Sequence, residues 1–431
     1  MVQTTTSEQI KKCCVITNGE QLQYIEVPFE LTEDIINIHI KYAVKNKSKE
    51  ECVVDLGIRD PYRVRGWSGG ARSEIEIGSK VSTPGYLSGN LAKGTWAVIL
   101  GAYKIPQGGS EVEVNIKLEK STNNKETWLK GDLHMHSVHS DGSYTLQEIA
   151  AIALEKELDF IALTDHNTVS QNFTLPRYED LIIIPGMELT TYKGHCNFFG
   201  INDPIKDFRA VNNEELHSKV EEARSSGAKV SINHPHDPGC PWEWTWNVNY
   251  NWVEVWNGPW RPGNEKTLDW WQEQLVNGNK ITVIGGSDTH RPDPYVQHGM
   301  PTTWVKTADK SQCGIFAGID KGHVFLSYSP EGPTMELTCG NKQMGDTVTD
   351  ISQPVVVNLN RLHEGDLIKI ISDRGIERTY TVPKAEKTFR KQLKISDQKF
   401  YRVEVWKYFQ EVNQTLMAAM CNPLYISKEG M

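Results

Sequence analysis

Gly131-Asp132-Leu133-His134-Met135-His136-Ser137 runs through Val138-His139 into Ser140-Asp141-Gly142. In a β-strand residues i and i+2 point to one side, so His134 and His136 can close on one ion while Leu133 and Met135 pack the other way. Asp141 puts a carboxylate close behind them. By itself a His-x-His pair is more often two surface histidines on a loop, so its meaning depends on what surrounds it.

Outward from this stretch, the chain alternates strand and helix. Residues 145–157 carry Leu146, Ile149, Ala150, Ala153 and Leu154 at helical spacing, with Thr145 and Glu148 placed as a capping box. Residues 159–163, 181–185, 196–201, 229–232, 252–255 and 281–285 read as strands, and 213–225 as the clearest helix between them. Alternation over some 200 residues argues for a parallel α/β sheet or barrel. The predicted strand ends are not ordinary. The first carries His134 and His136, the second Thr164-Asp165-His166, and the third Gly186-Met187-Glu188. His195 opens the fourth, the fifth ends in Asn233-His234-Pro235, and the last in Gly286-Ser287-Asp288-Thr289-His290. In parallel α/β barrels the carboxyl ends of the strands converge on the face that carries the active site. Ten of the 13 histidines lie between His134 and His298, which is no uniform scatter.

Neutral imidazoles and carboxylates suit Zn²⁺, Mn²⁺ or Fe²⁺, and the absence of cysteine from the cluster argues against a closed structural zinc site. So many ligands exceed the needs of one ion. They would serve two or three, with Glu188 placed to bridge.

The flanking segments differ in texture. Residues 1–125 hold short β-branched segments (24–29, 35–42, 53–58, 95–103, 111–118) separated by Gly, Pro, Asn and Ser, the pattern of a sandwich or jelly roll. Residues 119–126 read as a linker, and 331–431 return to short β patterns. The expected organisation is an N-terminal β-rich domain (1–125), a central α/β domain (126–330) and a C-terminal β-rich domain (331–431). A net charge of −9, not gathered in a tail, argues against a general nucleic-acid or anionic-membrane binder and for a small-molecule substrate. No apolar run reaches membrane-spanning length, and residues 1–12 lack the apolar core of a secretory signal, so a cytoplasmic location is expected. The eight cysteines are scattered without a Cys-x-x-Cys pair and read as reduced thiols, Cys196 being notable for its place beside His195.

Six motifs in order, Gly-Asp-Leu-His-Met-His-Ser with Ser-Asp-Gly, Ala-Leu-Thr-Asp-His-Asn, Pro-Gly-Met-Glu-Leu-Thr, Gly-His-Cys-Asn, Ile-Asn-His-Pro and Gly-Gly-Ser-Asp-Thr-His, resemble those of the PHP (polymerase and histidinol phosphatase) superfamily. The resemblance covers about 128–330 and looks closest to the CehA/McbA-like metallohydrolase branch. It implies a distorted seven-stranded β/α barrel, here flanked by β-sandwich-like modules. It also implies metal ligands at His134, His136, Asp141, His166, Glu188, His195, His234, Asp288 and His290. His134, His136, Glu188 and Asp288 would surround one metal, and Asp141, His166 and Glu188 a second. His195, His234 and His290 would surround a third. Asp141 stands where typical members carry histidine. The implied reaction is hydrolysis by metal-activated hydroxide, phosphoesters first, with carbamate, carboxyl-ester and amide hydrolysis as the alternative. A non-catalytic binding protein with a degenerate barrel is the rival from another class.

Asp288 or His290 could shuttle a proton, with Glu188 completing the catalytic set. Asp132 and Asp165 suit a supporting role around the ligand histidines or ordinary turns. Arg261 and Arg291 could clamp a phosphate or carboxylate, and Asn257 could line the site. Eight of 13 tryptophans fall between Trp242 and Trp271. Trp242, Trp244 and Trp246 either wall a pocket for an apolar leaving group or pack as a lid. His298, in a loop after the last motif, reads as exposed.

Overall fold

The computed structural model describes residues 5–32, 35–45, 50–78, 81–89, 91–121, 126–201, 203 and 205–427. Residues 122–125 of the expected linker lie outside them. The chain divides into two compact units, Met1–Glu126 and Thr127–Met431.

The first unit is built from two four-stranded antiparallel sheets. Alternation turns one face of each strand inward, and residues from both sheets, including Ile38, Ile40, Leu56, Trp96 and Val114, share one apolar core.

In the second unit we label the strands that position the candidate site β1 (Thr127–Asp132), β2 (Phe160–Leu163), β3 (Ile182–Thr191), β4 (Gly194–Phe199), β5 (Lys229–Ile232), β6 (Trp252–Asn257) and β7 (Thr282–Gly286). They lie side by side in chain order. Pairing is parallel for β1–β2, β2–β3, β5–β6 and β6–β7, and antiparallel for β3–β4 and β4–β5. The tight Tyr192-Lys193 turn leaves no room for a crossover helix, so β4 runs back against β3 and, reversed in this way, also lies antiparallel to β5. Helix α1 (Leu146–Glu155) starts with the expected reciprocal cap, Thr145 Oγ1 accepting from the Glu148 amide and Glu148 returning to the Thr145 amide. Helices α2 (Asn213–Ser225), α3 (Pro262–Val276) and α4 (Gln312–Asp320) follow.

A closed seven-stranded barrel is not shown. Past β1 the strand path continues through β8 (Thr302–Thr307) and β9 (Val324–Ser327) into strands 414–421, 400–409, 367–372 and 375–381. Beyond their ends, the segments that follow β1 and β7 meet in a parallel bridge between Met135 and Thr289. This contact brings the opening His-x-His beside the last motif. Residues 331–427 are continuous with the central part: Phe325, Leu326 and Ser327 pair with Cys421, Met420 and Ala419, and Trp304 and Phe325 pack in one core with Met335, Val357 and Val403.

Candidate metal centre

Glu188 is the middle of the cluster. Strand β3 runs on to Thr191 rather than ending near Pro185, so Glu188 is held by a ladder on one side and by a bridge to His166 on the other. Its side chain is 1 % exposed. Oε1 lies 3.3 Å from His134 Nε2, 3.3 Å from His195 Nδ1 and 3.5 Å from His234 Nε2, and accepts from Asn233 Nδ2 at 2.8 Å. Oε2 lies 2.8 Å from His166 Nδ1 and 3.6 Å from His136 Nε2. Burial pushes this carboxyl's pKa up, but the facing His134 and His195 outweigh burial and hold it well below the usual carboxylate range.

Asp288 closes the first group. It sits just past β7 in the left-handed region (φ 54°), a conformation uncommon for a residue with a Cβ and one that concentrates at functional turns. Its Oδ1 is 3.0 Å from His136 Nε2 and 3.4 Å from His134 Nε2. Burial pulls His134 down, yet Asp288, Glu254 and Glu188 together raise it well above the ordinary imidazole value. His136 is lowered, mainly by burial.

His166, His290 and Asp141 form the second group. Asp141 Oδ1 stands 3.5 Å from His166 Nε2 and 3.4 Å from His290 Nε2. His290 Nδ1 donates to the Asp288 carbonyl at 2.8 Å, which fixes the tautomer and leaves Nε2 as the free lone pair. The expectation that joins His290 to His195 and His234 is therefore corrected. The end of β7 swings it across onto the His136 ring, 4.1 Å away between centroids.

The third group differs from expectation in its chemistry. His195 and His234 gather with Cys240, whose Sγ is 3.5 Å from His234 Nδ1. A cysteine does enter the cluster, because the loop after His234 (φ 28°) folds back within six residues. Cys196 does not: it is buried in the core behind β4, and burial raises its thiol.

Glu254 escaped the sequence reading. Its Oε1 is 3.0 Å from His134 Nδ1, and its Oε2 accepts from the His234 amide and from Asn257 Nδ2, both at 3.1 Å. The signal was present in Trp252-Val-Glu-Val-Trp, a carboxylate in an otherwise apolar strand, since buried acids are nearly always paired.

Asp132 and Asp165 face the backbone. Asp132 accepts from the amides of His134, Ser287 and Gly299, tying the two site loops together. Asp165 accepts from Ser137 and Ser140. Asn257 donates to Asp288 Oδ2 at 3.2 Å, so it reaches the cluster as a partner of a ligand-type residue. Arg261 is engaged by Asn257 Oδ1 at 2.5 Å and by Asp237 at 3.2 Å. Arg291 is exposed and makes no hydrogen bond or ion pair among the described residues. Trp242 and Trp244 are buried in the core with Leu189 and Phe198. The Trp242 ring packs on Gly194, and Trp244 Nε1 donates to Thr191 Oγ1 at 2.9 Å, so these tryptophans brace the hairpin that carries His195. The pocket-wall alternative for Trp242 is corrected. His298 is likewise buried, edge-on to Tyr144, and burial lowers it to about 4.

The donors fit divalent ions. Among the described residues, buried His134 Nε2 and Glu188 Oε2 lack a hydrogen-bond partner although imidazole and carboxylate atoms crowd them. Ligand atoms bound at about 2.0–2.2 Å to one ion stand about 3.0–3.6 Å from each other, the spacing of these N···O pairs. Four overlapping groups satisfy the proximity a metal needs, with all ligand atoms within 4.8 Å of one another: His134-His136-Asp288, His134-Glu188-His234, His136-Asp141-His166-His290 and His195-His234-Cys240.

Among known proteins, residues 132–229 match the PHP domain family. An uncharacterized protein of Methanocaldococcus jannaschii is 25 % identical over 151 residues, 31 % of this chain and 85 % of the relative. The DNA polymerase/3'-5' exonuclease PolX of Bacillus subtilis is 46 % identical over 39 residues, 9 % of this chain and only 7 % of the polymerase's length. A solved two-domain protein from Bacteroides vulgatus, containing a predicted PHP-like metal-dependent phosphoesterase, superposes with a TM-score of 0.40 at 19 % identity, over 69 % of this chain and 96 % of that one. The PHP match takes in His134, His136, Asp141, His166, Glu188 and His195, and the chain beyond its end brings His234, Cys240, Asp288 and His290 to the same cluster.

Proposed function

We propose that this chain is a metal-dependent hydrolase of a small ester, a phosphoester in the first instance. The observation that carries the reading is one buried carboxylate, Glu188, facing five imidazoles from four different segments. In this reading His134, His136, Glu188 and Asp288 would hold one divalent ion, Asp141, His166 and His290 a second, and His195 and His234 a third. Zinc, manganese and iron are the candidates from the donor chemistry. Such ions, when bound, make a nucleophile from water near neutral pH and offset charge on the departing oxygen.

The chain's own groups set up the rest. Asp288 and His290 are each 22 % exposed beside the buried Glu188, so they border the opening through which substrate must come. Asn257 holds Asp288 Oδ2, leaving Oδ1 toward the imidazoles. His290, its Nδ1 proton engaged by the Asp288 carbonyl, turns the Nε2 lone pair toward the group it forms with Asp141 and His166. In the overall reaction water adds at the ester centre, the bond to the alcohol oxygen breaks, and that oxygen takes the proton.

One observation favours a neutral carbamate or carboxyl ester as a second reading. Arg261 is already paired with Asp237, and Arg291 points into solvent without an anchoring partner. Among the described residues the eight cysteines form no disulfide, which supports a reducing compartment, and no helix is long and apolar enough to cross a membrane. The test is a side-by-side panel of phosphomonoester, phosphodiester, carbamate and aryl ester with the metal-loaded full chain. Turnover of a phosphoester is expected; turnover of the carbamate or carboxyl ester alone would move the assignment to the second reading. Failure with all four in a fully loaded protein would overturn the hydrolase reading.

A further inference from the structure

Of the eight cysteines, Cys240 alone joins a group of metal-donor atoms among the described residues. Its Sγ lies 3.5 Å from His234 Nδ1, and the donor atoms of His195, His234 and Cys240 all lie within 4.8 Å of one another. None of the six sequence motifs contains it. The loop that delivers it is pinned from both sides. The Asp237 amide donates to the His234 carbonyl at 2.9 Å, and the Trp242 amide to the Pro235 carbonyl at 2.8 Å. Trp242, two residues after Cys240, is buried against Gly194, the residue before His195. One indole thus ties the loop of the thiol to the hairpin of the histidine.

Glu188 decides which nitrogen of His234 faces the sulfur. Its Oε1 is 3.5 Å from His234 Nε2 and 3.3 Å from His195 Nδ1. An ionised carboxylate only accepts, and a neutral imidazole has one N–H and one lone pair. With the N–H of His234 on Glu188, the lone pair on Nδ1 is left for whatever lies between it and Sγ, a thiol proton or a cation. Packing alone does not account for this thiol. Cys196, Cys339 and Cys421 are buried among apolar side chains, whereas Cys240 is half-buried and faces an imidazole and, at 4.0 Å, the Asp237 carboxylate. In the other three donor groups every atom is an imidazole nitrogen or a carboxylate oxygen. Oxygen-rich sets suit manganese, while a thiolate selects zinc and softer ions.

We propose that Cys240 is a protein donor, with His195 and His234, of a site for a thiophilic divalent ion, zinc before all others, so that the centre sorts its metals: a soft ion beside Cys240, and manganese or iron at the groups made of imidazole and carboxylate. The thiol proton leaves to solvent as the ion binds. Three protein donors, one fewer than in a closed structural zinc site, leave a position for water or substrate. The inference rests on the metal centre of the proposed function and not on ester hydrolysis.

The test uses the full chain loaded with Co²⁺, a spectroscopic substitute for zinc, and reads the thiolate-to-cobalt charge-transfer absorption in the near ultraviolet. Wild type should show the band. Cys240→Ser should lose it and hold one ion fewer per chain, with circular dichroism reporting the wild-type fold. A second measurement needs no variant: the metal-free chain is alkylated with iodoacetamide and the modified cysteines are mapped by peptide mass spectrometry. Zn²⁺ should slow alkylation of Cys240 at least tenfold, and Mn²⁺ less than twofold. A Co²⁺-loaded wild type without the band, a band that survives in Cys240→Ser, or equal protection by Zn²⁺ and Mn²⁺ would overturn the proposal. A band lost in Cys240→Ser, in a chain that cleaves none of the four esters, would keep the thiolate site and sink the hydrolase reading instead. Ester turnover by a chain whose Cys240 gives neither band nor protection would sink the site alone.

Discussion

Replacing Glu254 by Gln probes the part of the centre that holds the ligands rather than the ligands themselves. The carboxylate serves three donors: His134 Nδ1 at Oε1, and the His234 amide and Asn257 Nδ2 at Oε2. An amide of the same shape has one acceptor oxygen. If that oxygen stays toward His134, the new NH₂ group faces two donors. If the amide flips, its NH₂ faces His134 Nδ1 and forces the proton onto Nε2, the atom aimed at Glu188 and Asp288. Either arrangement leaves a buried mismatch worth about 1–3 kcal/mol. At about 1.4 kcal/mol per decade this corresponds to roughly 5- to 150-fold weaker metal binding, in line with the roughly 10- to 100-fold cost of removing such outer partners. Competition for Zn²⁺ against a chelator of known affinity, on wild type and Glu254→Gln, reads the ratio directly. Circular dichroism with excess chelator checks that the variant folds. A change of less than twofold in a folded variant would refute the reasoning. So would a complete loss of binding, which would make Glu254 a direct ligand.

Three further outcomes are expected. Gly286→Ala would put a Cβ 2.3 Å from His134 Cβ and 2.8 Å from its amide nitrogen, so it should cost about 1–3 kcal/mol of stability and lower metal content; full metal occupancy at the wild-type melting temperature would contradict this. Trp242→Ala should lower stability by about 3–5 kcal/mol and leave KM for a small ester unchanged, because the ring packs on the β3–β4 hairpin; a raised KM at unchanged stability would return it to the substrate wall. His134 and His234, raised in the folded chain, contribute stability that is complete below the ordinary imidazole value, about pH 6.5, and fades as pH rises through their folded values. Glu188 and Asp288, lowered, contribute stability that is complete above the ordinary carboxylate range, about pH 4.5, and fades as pH falls through theirs. This cluster therefore favours the metal-free chain most between about pH 4.5 and 6.5. Metal loading requires neutral imidazoles, so the melting-temperature gain from Zn²⁺ should grow as pH rises; a gain that shrinks from pH 5.5 to 7.5 would be the contrary result.

Much of the centre was legible because its ligands sit at strand ends, where local pattern and chemistry coincide. His134 and His136 share one side by strand alternation, and Glu188 emerges as the shared carboxylate. What the pattern could not give is contact made by chain reversal. Cys240 reaches His234 only through a six-residue loop, and His290 crosses to His166 because Asp288 takes a left-handed turn. Trp242 was open between a pocket wall and packing, and His298 read as exposed, because burial of a loop residue depends on what packs over it. The hydrophobic texture of 331–431 announced strands, but the pairing of Phe325 with Cys421, which draws those strands into the central sheet, is set by contacts almost a hundred residues apart.

The central claim is that Glu188 organises a multinuclear metal site. The most direct measurement is the metal content per chain, by mass spectrometry of the elements, for wild type and Glu188→Gln after loading with Zn²⁺ or Mn²⁺ and removal of excess ion. The account predicts at least two ions per wild-type chain, and less than one in a folded variant that has lost the carboxylate shared by the five imidazoles. Fewer than one ion in the wild type, or equal content in the two proteins, would contradict it.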